Sequence, residues 1–228
     1  MERIAFVGGF DKTDIVLLIA RALTLMKYKV LVVDTTVQQK TRYIVPVMKP
    51  DVQYIATYFD VDVACGFKSM QEINAYCTQN GIPFQYDFVL IDIDTLYYYM
   101  SYNITGQEKQ FFVTGFDTYS LRRGLSCFAR LLQPVHVQKV YFTKYMIQEE
   151  DDYLNYLSKD YKLDWDKEIV FFPFETADLD ANFVNQRNQK IRLAGLSTPY
   201  VDSVQYMTEI ISKKGNGEVK KAIKQMMN

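Results

Sequence analysis

Short apolar runs alternate along this chain with longer segments in which apolar residues recur every three or four positions. The short runs are apolar at nearly every position rather than at every second one, which is typical of strands buried on both faces of a sheet. The predicted strands cover residues 3–7, 29–34, 53–59, 87–92, 110–114, 137–143 and 168–172.

The longer segments predict helices between these strands. The segment 15–25 is almost unbroken in its apolar character, and the segment 68–80 ends before Gly81 and Pro83, which stop a helix. Further helices are predicted over 118–132, 149–159, 203–213 and 217–227. Strands that alternate with helices imply right-handed crossovers, so the order predicts an α/β fold, a three-layer sandwich with a mostly parallel central sheet.

Composition narrows the class of protein. The 228 residues suffice for one sizeable core, and no composition break marks a linker, so we expect a single domain over 1–228. A formal net charge of −1 gives no field that favours nucleic acid. Three scattered cysteines and a single histidine, His136, exclude the spacing of a structural zinc site. The absence of a leader-like start and of any apolar run of about 18–20 residues predicts a cytoplasmic protein.

Aromatic residues are unusually frequent, with 18 Tyr and 15 Phe, and some cluster, as in the run Tyr97-Tyr98-Tyr99. Aromatic side chains suit half-buried sheet surfaces, which is one interpretation of the run. Exposed members of the run would instead mark a protein-binding surface. The sequence leaves both interpretations open.

Polar and glycine residues follow several of the predicted strands. In parallel sheets a ligand lies beyond the carboxyl ends of the strands, where the chain places Gly8-Gly9, Asp34, Asp92, Thr114 and Thr143. This convergence favours a binding site at that edge of the sheet.

The segment after the first strand has the layout of a phosphate-binding loop: strand, glycine turn, then helix. Its Lys12-Thr13 fit the pattern G-x-x-x-x-G-K-[ST], in which the lysine reaches phosphates and the hydroxyl holds Mg²⁺. The two required glycines fall on Phe6 and Asp11. An ordinary glycine turn between strand and helix is the alternative.

As an ordered set of short matches over nearly the whole chain, the sequence resembles the ParA/MinD family of deviant Walker ATPases. The family's loop Lys-Gly-Gly-Val-Gly-Lys-Thr falls on residues 7–13, and its switch I and Walker B strands fall on 30–34 and 88–92. The segments 141–144 and 172–174 resemble its adenine-side turn and the stretch after its late strand. The resemblance implies an α/β protein that dimerises around ATP and positions plasmids, chromosomes, division sites or secretion machines.

The resemblance also implies which residues would bind ATP or ADP with Mg²⁺. The implied nucleotide contacts are Gly8, Gly9, Phe10, Asp11, Lys12, Thr13, Asp14, Asp34, Lys144 and Pro173. The metal would be held by Thr13 and by Asp92, with Asp94 as a further carboxylate. For Lys12 and Asp92 a structural ion pair is the alternative, and Thr13 could instead cap the first helix.

Three positions depart from the family's pattern. The family's signature lysine, which reaches the partner's nucleotide, is replaced by Val7, the glycine before the motif lysine by Asp11, and the catalytic switch I aspartate by Thr36. A carboxylate about 4 Å from a phosphate costs several kcal/mol at an intermediate dielectric. Micromolar affinity amounts to about 8 kcal/mol in total, so we expect weak or absent ATP binding and no efficient hydrolysis. No catalytic residue is assigned.

The segment 217–227 predicts a short basic amphipathic helix. Its apolar residues fall on one face, and Lys220, Lys221 and Lys224 lie opposite or beside them. Such a helix can lie on an anionic membrane surface, where each basic residue contributes about 1 kcal/mol. Docking on the domain, or on a partner, is the alternative that the short apolar face favours.

Two functions follow from these observations. The first is a degenerate ParA/MinD-like localisation or scaffold factor that binds a protein partner, in a secretion, pilus, DNA-transfer or partition system. The second is an ATP-Mg-binding switch whose hydrolysis is slow and partner-stimulated. The resemblance further predicts a homodimer, and one that does not require ATP because the cross-dimer lysine is replaced by Val7.

Overall fold

A computed structural model describes residues 1–47, 52–104, 106, 108–145, 148–173 and 175–227. The strands are β1 (Glu2–Val7), β2 (Val30–Asp34), β3 (Tyr54–Tyr58), β4 (Val61–Cys65), β5 (Phe88–Ile93), β6 (Lys109–Thr114), β7 (Val135–Thr143) and β8 (Leu163–Pro173). The helices are α1 (Thr13–Leu25), α2 (Thr41–Ile44), α3 (Met70–Gln79), α4 (Leu96–Ser101), α5 (Thr118–Ser126), α6 (Gln148–Leu157), α7 (Thr176–Arg187), α8 (Thr198–Ser212) and α9 (Asn216–Met226). Phe174, part of one predicted match, lies outside the described residues.

The strands form one sheet in the order β3-β4-β2-β5-β1-β6-β7-β8. All neighbouring strands are parallel except β3 and β4, which pair antiparallel. The predicted α/β architecture with a mostly parallel central sheet is confirmed. Because β1 lies between β5 and β6, the loop that follows β1 is flanked by the carboxyl ends of both strands.

The sheet separates two hydrophobic cores. In β1, Ile4 and Phe6 face the core that α1, α8 and α9 cover, while Ala5 and Val7 face the core that α3, α4, α5 and α6 cover. Apolar residues at consecutive positions of a strand are explained by burial on both faces.

The strand β4 was not predicted, because its hairpin lacks a conventional turn sequence. The turn residues Phe59 and Asp60 both have positive φ, at 51° and 59°. Hairpin turns of this kind usually contain Gly or Asn, whose backbones adopt positive φ readily. The predicted strand 53–59 therefore corresponds to β3 alone, and the chain returns as β4.

The helix α7 was not predicted either, because the stripe it buries is polar. Asp178, Asn182 and Asn185 lie on its inner face, at a spacing of three to four residues. Asp178 accepts hydrogen bonds from the Ser197 backbone N–H at 2.6 Å and from its hydroxyl at 2.9 Å. A search for apolar periodicity does not detect a helix that is held by hydrogen bonds.

The tyrosine run forms the helix α4 and not the sheet surface that one interpretation expected, and its members differ in burial. The side chain of Tyr99 is buried and donates a hydrogen bond to Gln110 at 2.9 Å, whereas Tyr97 is 58% exposed.

The helix α5 ends at Ser126, earlier than the predicted 132. The chain continues in tighter turns, such as the one in which the Phe128 N–H donates to the Leu125 carbonyl at 3.0 Å.

The C-terminal helix α9 packs on the body of the fold. Its residues Val219, Ala222, Ile223 and Met226 are buried in the core beside α1 and α8, and the Leu193 N–H donates to the Met226 carbonyl at 2.8 Å. The lysines of α9 are exposed. The sequence left open whether this helix lies on a membrane surface or docks on the domain, and the structure has the docked arrangement.

Within the described residues, no helix has both the length and the apolar character that a membrane crossing needs.

Candidate functional site

The loop between β1 and α1 lies tightly between β6 and α5. A Cβ atom at Gly8 would lie 2.0 Å from the Val113 carbonyl oxygen, and one at Gly9 would lie 2.7 Å from the Cβ of Arg123. The Gly8 N–H donates to the Ile93 carbonyl at 2.9 Å. The two glycines are therefore required for close packing, and they bring α5 directly over the loop.

Lys12 points back into the fold rather than outward. Its Nζ lies 2.6 Å from a carboxylate oxygen of Asp92 at the end of β5, and it donates to the Gly8 carbonyl at 2.9 Å. The exposed fractions of the Lys12 and Asp92 side chains are 1% and 3%. Burial raises the pKa of Asp92 to about 7, and the positive charge of Lys12 opposes this rise. This is the structural ion pair that the sequence offered as an alternative.

Asp11 supplies a hydrogen-bond acceptor for the backbone at the N-terminus of α1. One carboxylate oxygen accepts the Thr13 N–H at 3.2 Å, and the other forms an ion pair with Lys40. Burial opposes ionisation, but Lys40 and the hydrogen bonds from Thr13 hold the pKa of Asp11 below its ordinary value. A carboxylate thus lies where a phosphate loop offers N–H groups and positive dipole to its anion.

Asp34, at the end of β2, organises the segment that follows it. Its carboxylate accepts hydrogen bonds from Thr36, at 3.0 Å from N–H and 2.6 Å from the hydroxyl. It also accepts from the N–H and hydroxyl of Thr41, at 3.1 Å and 2.7 Å. Asp94 accepts the Val37 N–H at 3.2 Å. With all these partners and almost no exposure, Asp34 fixes the backbone rather than facing a ligand.

A cavity of about 370 Å³ opens beside the loop, and we call it the loop cavity. It is lined by Gly9, Phe10, Asp11, Lys12, Thr13, Thr36, Val37, Gln38, Lys40, Asp92, Asp94, Tyr119 and Arg123. The structure therefore gathers most of the predicted loop residues and Asp92 around one space. Gly8 and Asp34 do not line this cavity, although the Gly8 carbonyl accepts a hydrogen bond from Lys12.

A second cavity of about 290 Å³, the side cavity, adjoins the first and shares Phe10, Asp11 and Lys40 with it. Two further predicted residues, Asp14 and Pro173, line the side cavity. The ring of Phe10 stacks on that of Phe142, with 4.7 Å between centroids. Lys144 lines neither cavity and lies instead over the ring of Tyr145 at 5.5 Å.

Asp14 is the carboxylate of the side cavity that is most unfavourably placed for ionisation. Burial raises the pKa of Asp14 to about 6, although it accepts hydrogen bonds from the Gln186 amide at 2.9 and 3.0 Å. Within the described part of the chain, no lysine or arginine lies within ion-pair distance of it.

The predicted Mg²⁺ ligands are only partly arranged for a metal. Asp92 is already neutralised by Lys12, and Thr13 lies beside the carboxylate of Asp11. Among the described residues, no group of three or more His, Cys, Asp or Glu side chains is suited to hold a metal ion. Mg²⁺ would have to displace Lys12 from Asp92, so the assignment of these two residues stays a prediction.

Sequence reasoning missed two cations of the loop cavity, Lys40 and Arg123. Lys40 comes from the connection after β2, which carries no motif. Arg123 lies one helical turn after Tyr119 on α5, and both line the cavity. The position of α5 after β6, at the carboxyl edge of the sheet, is the signal that could have found Arg123.

Comparison with known proteins identifies the fold. No family model and no curated protein sequence matches the chain. The MinD cell division protein of Aquifex aeolicus superimposes with a TM-score of 0.57 at 11% identity, over 94% of this chain and 98% of that one. A plasmid partition protein of Borrelia burgdorferi bound to AMPPNP gives 0.55 at 14%, over 94% and 99%. A variant of McdA from Cyanothece in complex with ATP gives 0.54 at 9%, over 95% and 98%. The chain has a ParA/MinD-like fold.

Proposed function

We propose that the protein is a localisation or scaffold factor of ParA/MinD-like fold that works through a protein partner without efficient ATP turnover. The observation that carries this proposal is the buried ion pair of Lys12 with Asp92, at 2.6 Å and with exposed fractions of 1% and 3%. The charge of a lysine held in this way is committed to Asp92 and does not neutralise a transferring phosphate.

Two further features support the same function. Asp11 takes up the Thr13 N–H and the charge of Lys40, and it adds a negative charge beside any bound phosphate. Thr36 lies at the position of the family's catalytic aspartate, and its hydroxyl donates a hydrogen bond to Asp34 at 2.6 Å. Each of the groups that would drive hydrolysis is replaced or already paired.

An ATP-binding switch with slow, partner-stimulated hydrolysis is the second candidate. The open loop cavity favours it, because a space of about 370 Å³ remains beside the loop. The Borrelia and Cyanothece proteins of similar fold contain AMPPNP and ATP respectively. Nucleotide binding without turnover is compatible with both candidates.

The test is steady-state ATP hydrolysis with Mg²⁺ by the purified protein, measured beside the double variant Lys12→Met/Asp92→Asn. The double variant removes both charges together, so that neither is left buried and unpaired. We expect the two proteins to show the same residual phosphate release, which would then come from contaminants. Turnover of about 1 s⁻¹ or more that the double variant loses is in the range of ordinary enzymes and would refute the proposal.

A further inference from the structure

The side cavity has more carboxylates than cations in its wall. Its carboxylates are those of Asp11, Asp14, Glu175 and Asp178. Lys40, the one lysine or arginine among the described lining residues, forms an ion pair with Asp11. The other three carboxylates have no lysine or arginine of the described chain within ion-pair distance. The described residues therefore leave an excess of negative charge in this cavity.

Asp14 is the carboxylate of this set that the fold compensates least. Asp178 accepts hydrogen bonds from the N–H and the hydroxyl of Ser197, and Glu175 is exposed to solvent. Among the described residues, Asp14 accepts hydrogen bonds from the neutral Gln186 amide alone. Burial raises the pKa of Asp14 to about 6. Because burial disfavours a carboxylate without a counter-charge, a cation beside Asp14 would stabilise it.

Aromatic rings form another part of the wall. The ring of Phe10 stacks on that of Phe142 with 4.7 Å between centroids. Phe142 stacks in turn on Phe172 at 5.0 Å, and the rings of Phe172 and Tyr200 meet edge to face, also at 5.0 Å. All but Phe172 line the cavity, and Phe183 is a fourth lining ring. The face of an aromatic ring carries partial negative charge and attracts a cation.

Carboxylates and ring faces in one cavity are the groups that recognise an organic cation. The same lining repels phosphate, and a neutral base would leave the charge of Asp14 uncompensated. The volume of about 290 Å³ lies at the lower end for small-molecule sites, which suits a ligand of the size of a lysine or arginine side chain. In this respect the chain departs from the nucleotide contact that the resemblance implies for Asp14.

We infer that the side cavity is a binding site for an organic cation, an alkylammonium or guanidinium group that pairs with Asp14 and packs against the rings of Phe10 and Phe142. A free amine and a basic side chain of a protein partner carry the same group, and titration distinguishes these two sources. The inference goes beyond the proposed function and holds whether or not the protein hydrolyses ATP.

The test is a titration of the full chain with butylamine and with N-acetyl-lysine methylamide, monitored by two-dimensional NMR. At pH 8 both ligands are positively charged, because alkylamines have pKa values of about 10.4. Butanol, which has the same chain length without the charge, is the matched ligand control. We expect both amines to shift the resonances of residues lining the side cavity in a saturable way, and butanol to bind at least about 10-fold more weakly. Tighter binding of butylamine supports a free amine as the ligand, and tighter binding of the lysine derivative supports a partner's side chain.

The variant Asp14→Asn removes the charge and keeps the shape of the side chain. We expect it to bind butylamine at least about 10-fold more weakly than the natural chain. Because it relieves a buried charge, this loss does not come from unfolding, and urea denaturation checks that point. The matched control is Asp180→Asn, an exposed change on α7 that does not line the cavity, and its affinity should stay within about twofold. Phe10→Leu, which removes a ring face, should weaken binding about 2–5-fold.

Binding of butylamine should also weaken as the pH falls from 8 to 5. Asp14 then takes up a proton, since its pKa is about 6, while the amine keeps its charge. The charges that act on Asp14 are those of Asp11 and Lys40, whose ion pair holds the pKa of Asp11 below its ordinary value. The other titratable groups that line the cavity are Glu175, Asp178 and Tyr200. Their effects would persist in Asp14→Asn, which we expect to bind butylamine equally at both pH values.

The inference would be overturned if neither amine gave a saturable shift at tens of millimolar, or if butylamine and butanol bound equally. Equal losses of affinity in Asp14→Asn and Asp180→Asn would also overturn it. Adenosine that displaces butylamine and binds more tightly would identify a site for a neutral base and so refute the cation site. ATP turnover is measured separately and bears on the proposed function alone.

Discussion

Asp11 places a carboxylate at the start of α1, where it accepts the Thr13 N–H and pairs with Lys40. Removing it frees a helix N-terminal donor and a cation while deleting a negative charge, and all three changes favour a phosphate. We therefore expect Asp11→Gly to bind ATP at least about 10-fold more tightly than the natural chain in a calorimetric titration.

The matched control for this change is Asp60→Gly, which removes an exposed aspartate in the turn between β3 and β4, distant in the chain from the loop. Asp60→Gly should leave ATP affinity unchanged. If Asp11→Gly also leaves it unchanged, the carboxylate is not what limits binding, and the geometry of the loop is.

Asp14 gives the stability of the protein a pH dependence of unusual sign. Its pKa is about 6 in the folded chain against an ordinary value of 3.8, so the folded state binds the proton more tightly than the unfolded state. The stabilisation from protonated Asp14 is complete below about pH 4 and is lost as the pH rises through about 6.

We expect Asp14→Asn to be about 1–3 kcal/mol more stable than the natural chain at pH 8 and to lose this advantage at pH 4. Urea denaturation at both pH values measures the difference. Asp202→Asn, an exposed change on α8, serves as the control. An equal effect of Asp14→Asn at both pH values would contradict the assignment of this titration to Asp14.

From the sequence, only those site residues could be predicted that a motif or the end of a strand marks. Lys12 and Thr13 were found by the phosphate-loop pattern, and Asp92 was found because it ends a strand whose carboxyl end meets that of β1 in a parallel sheet. Arg123 and Lys40 were missed because they reach the same cavity from a helix face and from a connection without a motif. Asp34 ends its strand as predicted, but its carboxylate accepts hydrogen bonds from Thr36 and Thr41. These contacts depend on the tertiary structure and cannot be predicted from the sequence.

At the scale of elements, α9 is held by its apolar face against α1 and α8. Ile223, which is 6% exposed, lies in this contact. Because an aspartate there would bury a charge without a partner, we expect Ile223→Asp to lower the free energy of unfolding by about 2–4 kcal/mol in urea denaturation.

Lys221→Gln, on the exposed face of α9, should change stability by less than about 0.5 kcal/mol. If Ile223→Asp left stability unchanged and instead abolished binding to anionic lipid vesicles, the helix would be a membrane contact rather than a docked element.

Apolar burial explains why several elements could be predicted from the sequence. The strands β1, β2 and β5 are continuous apolar runs between two cores, and α1 is apolar on most of its surface. The helix α7 was not predicted, because hydrogen bonds rather than apolar contacts hold its inner face. The strand β4 was not predicted, because the turn before it has positive φ at Phe59 and Asp60 and contains neither the glycine nor the asparagine that usually indicates such a turn.

At the scale of the whole molecule, we predict a homodimer that forms without nucleotide, since Val7 cannot bridge to a partner's phosphates. Exposed apolar side chains beside the loop cavity, Val37 and Tyr119 with exposed fractions of 67% and 69%, are candidate contacts. Light scattering coupled to size exclusion should give the same mass with and without ATP. A monomer at all concentrations, or a dimer that appears only with ATP, would contradict this prediction.

Lys12 of the loop and Asp92 of β5 are held by each other, so we expect the protein not to act on an Mg²⁺-bound nucleotide. The decisive measurement is calorimetric titration of the nucleotide-stripped protein with ATP, in the presence and absence of Mg²⁺. We predict that Mg²⁺ does not tighten ATP binding, because Asp92 would have to break its ion pair with Lys12 to receive the metal. Micromolar affinity that depends on Mg²⁺ would refute this expectation and favour the ATP-Mg switch.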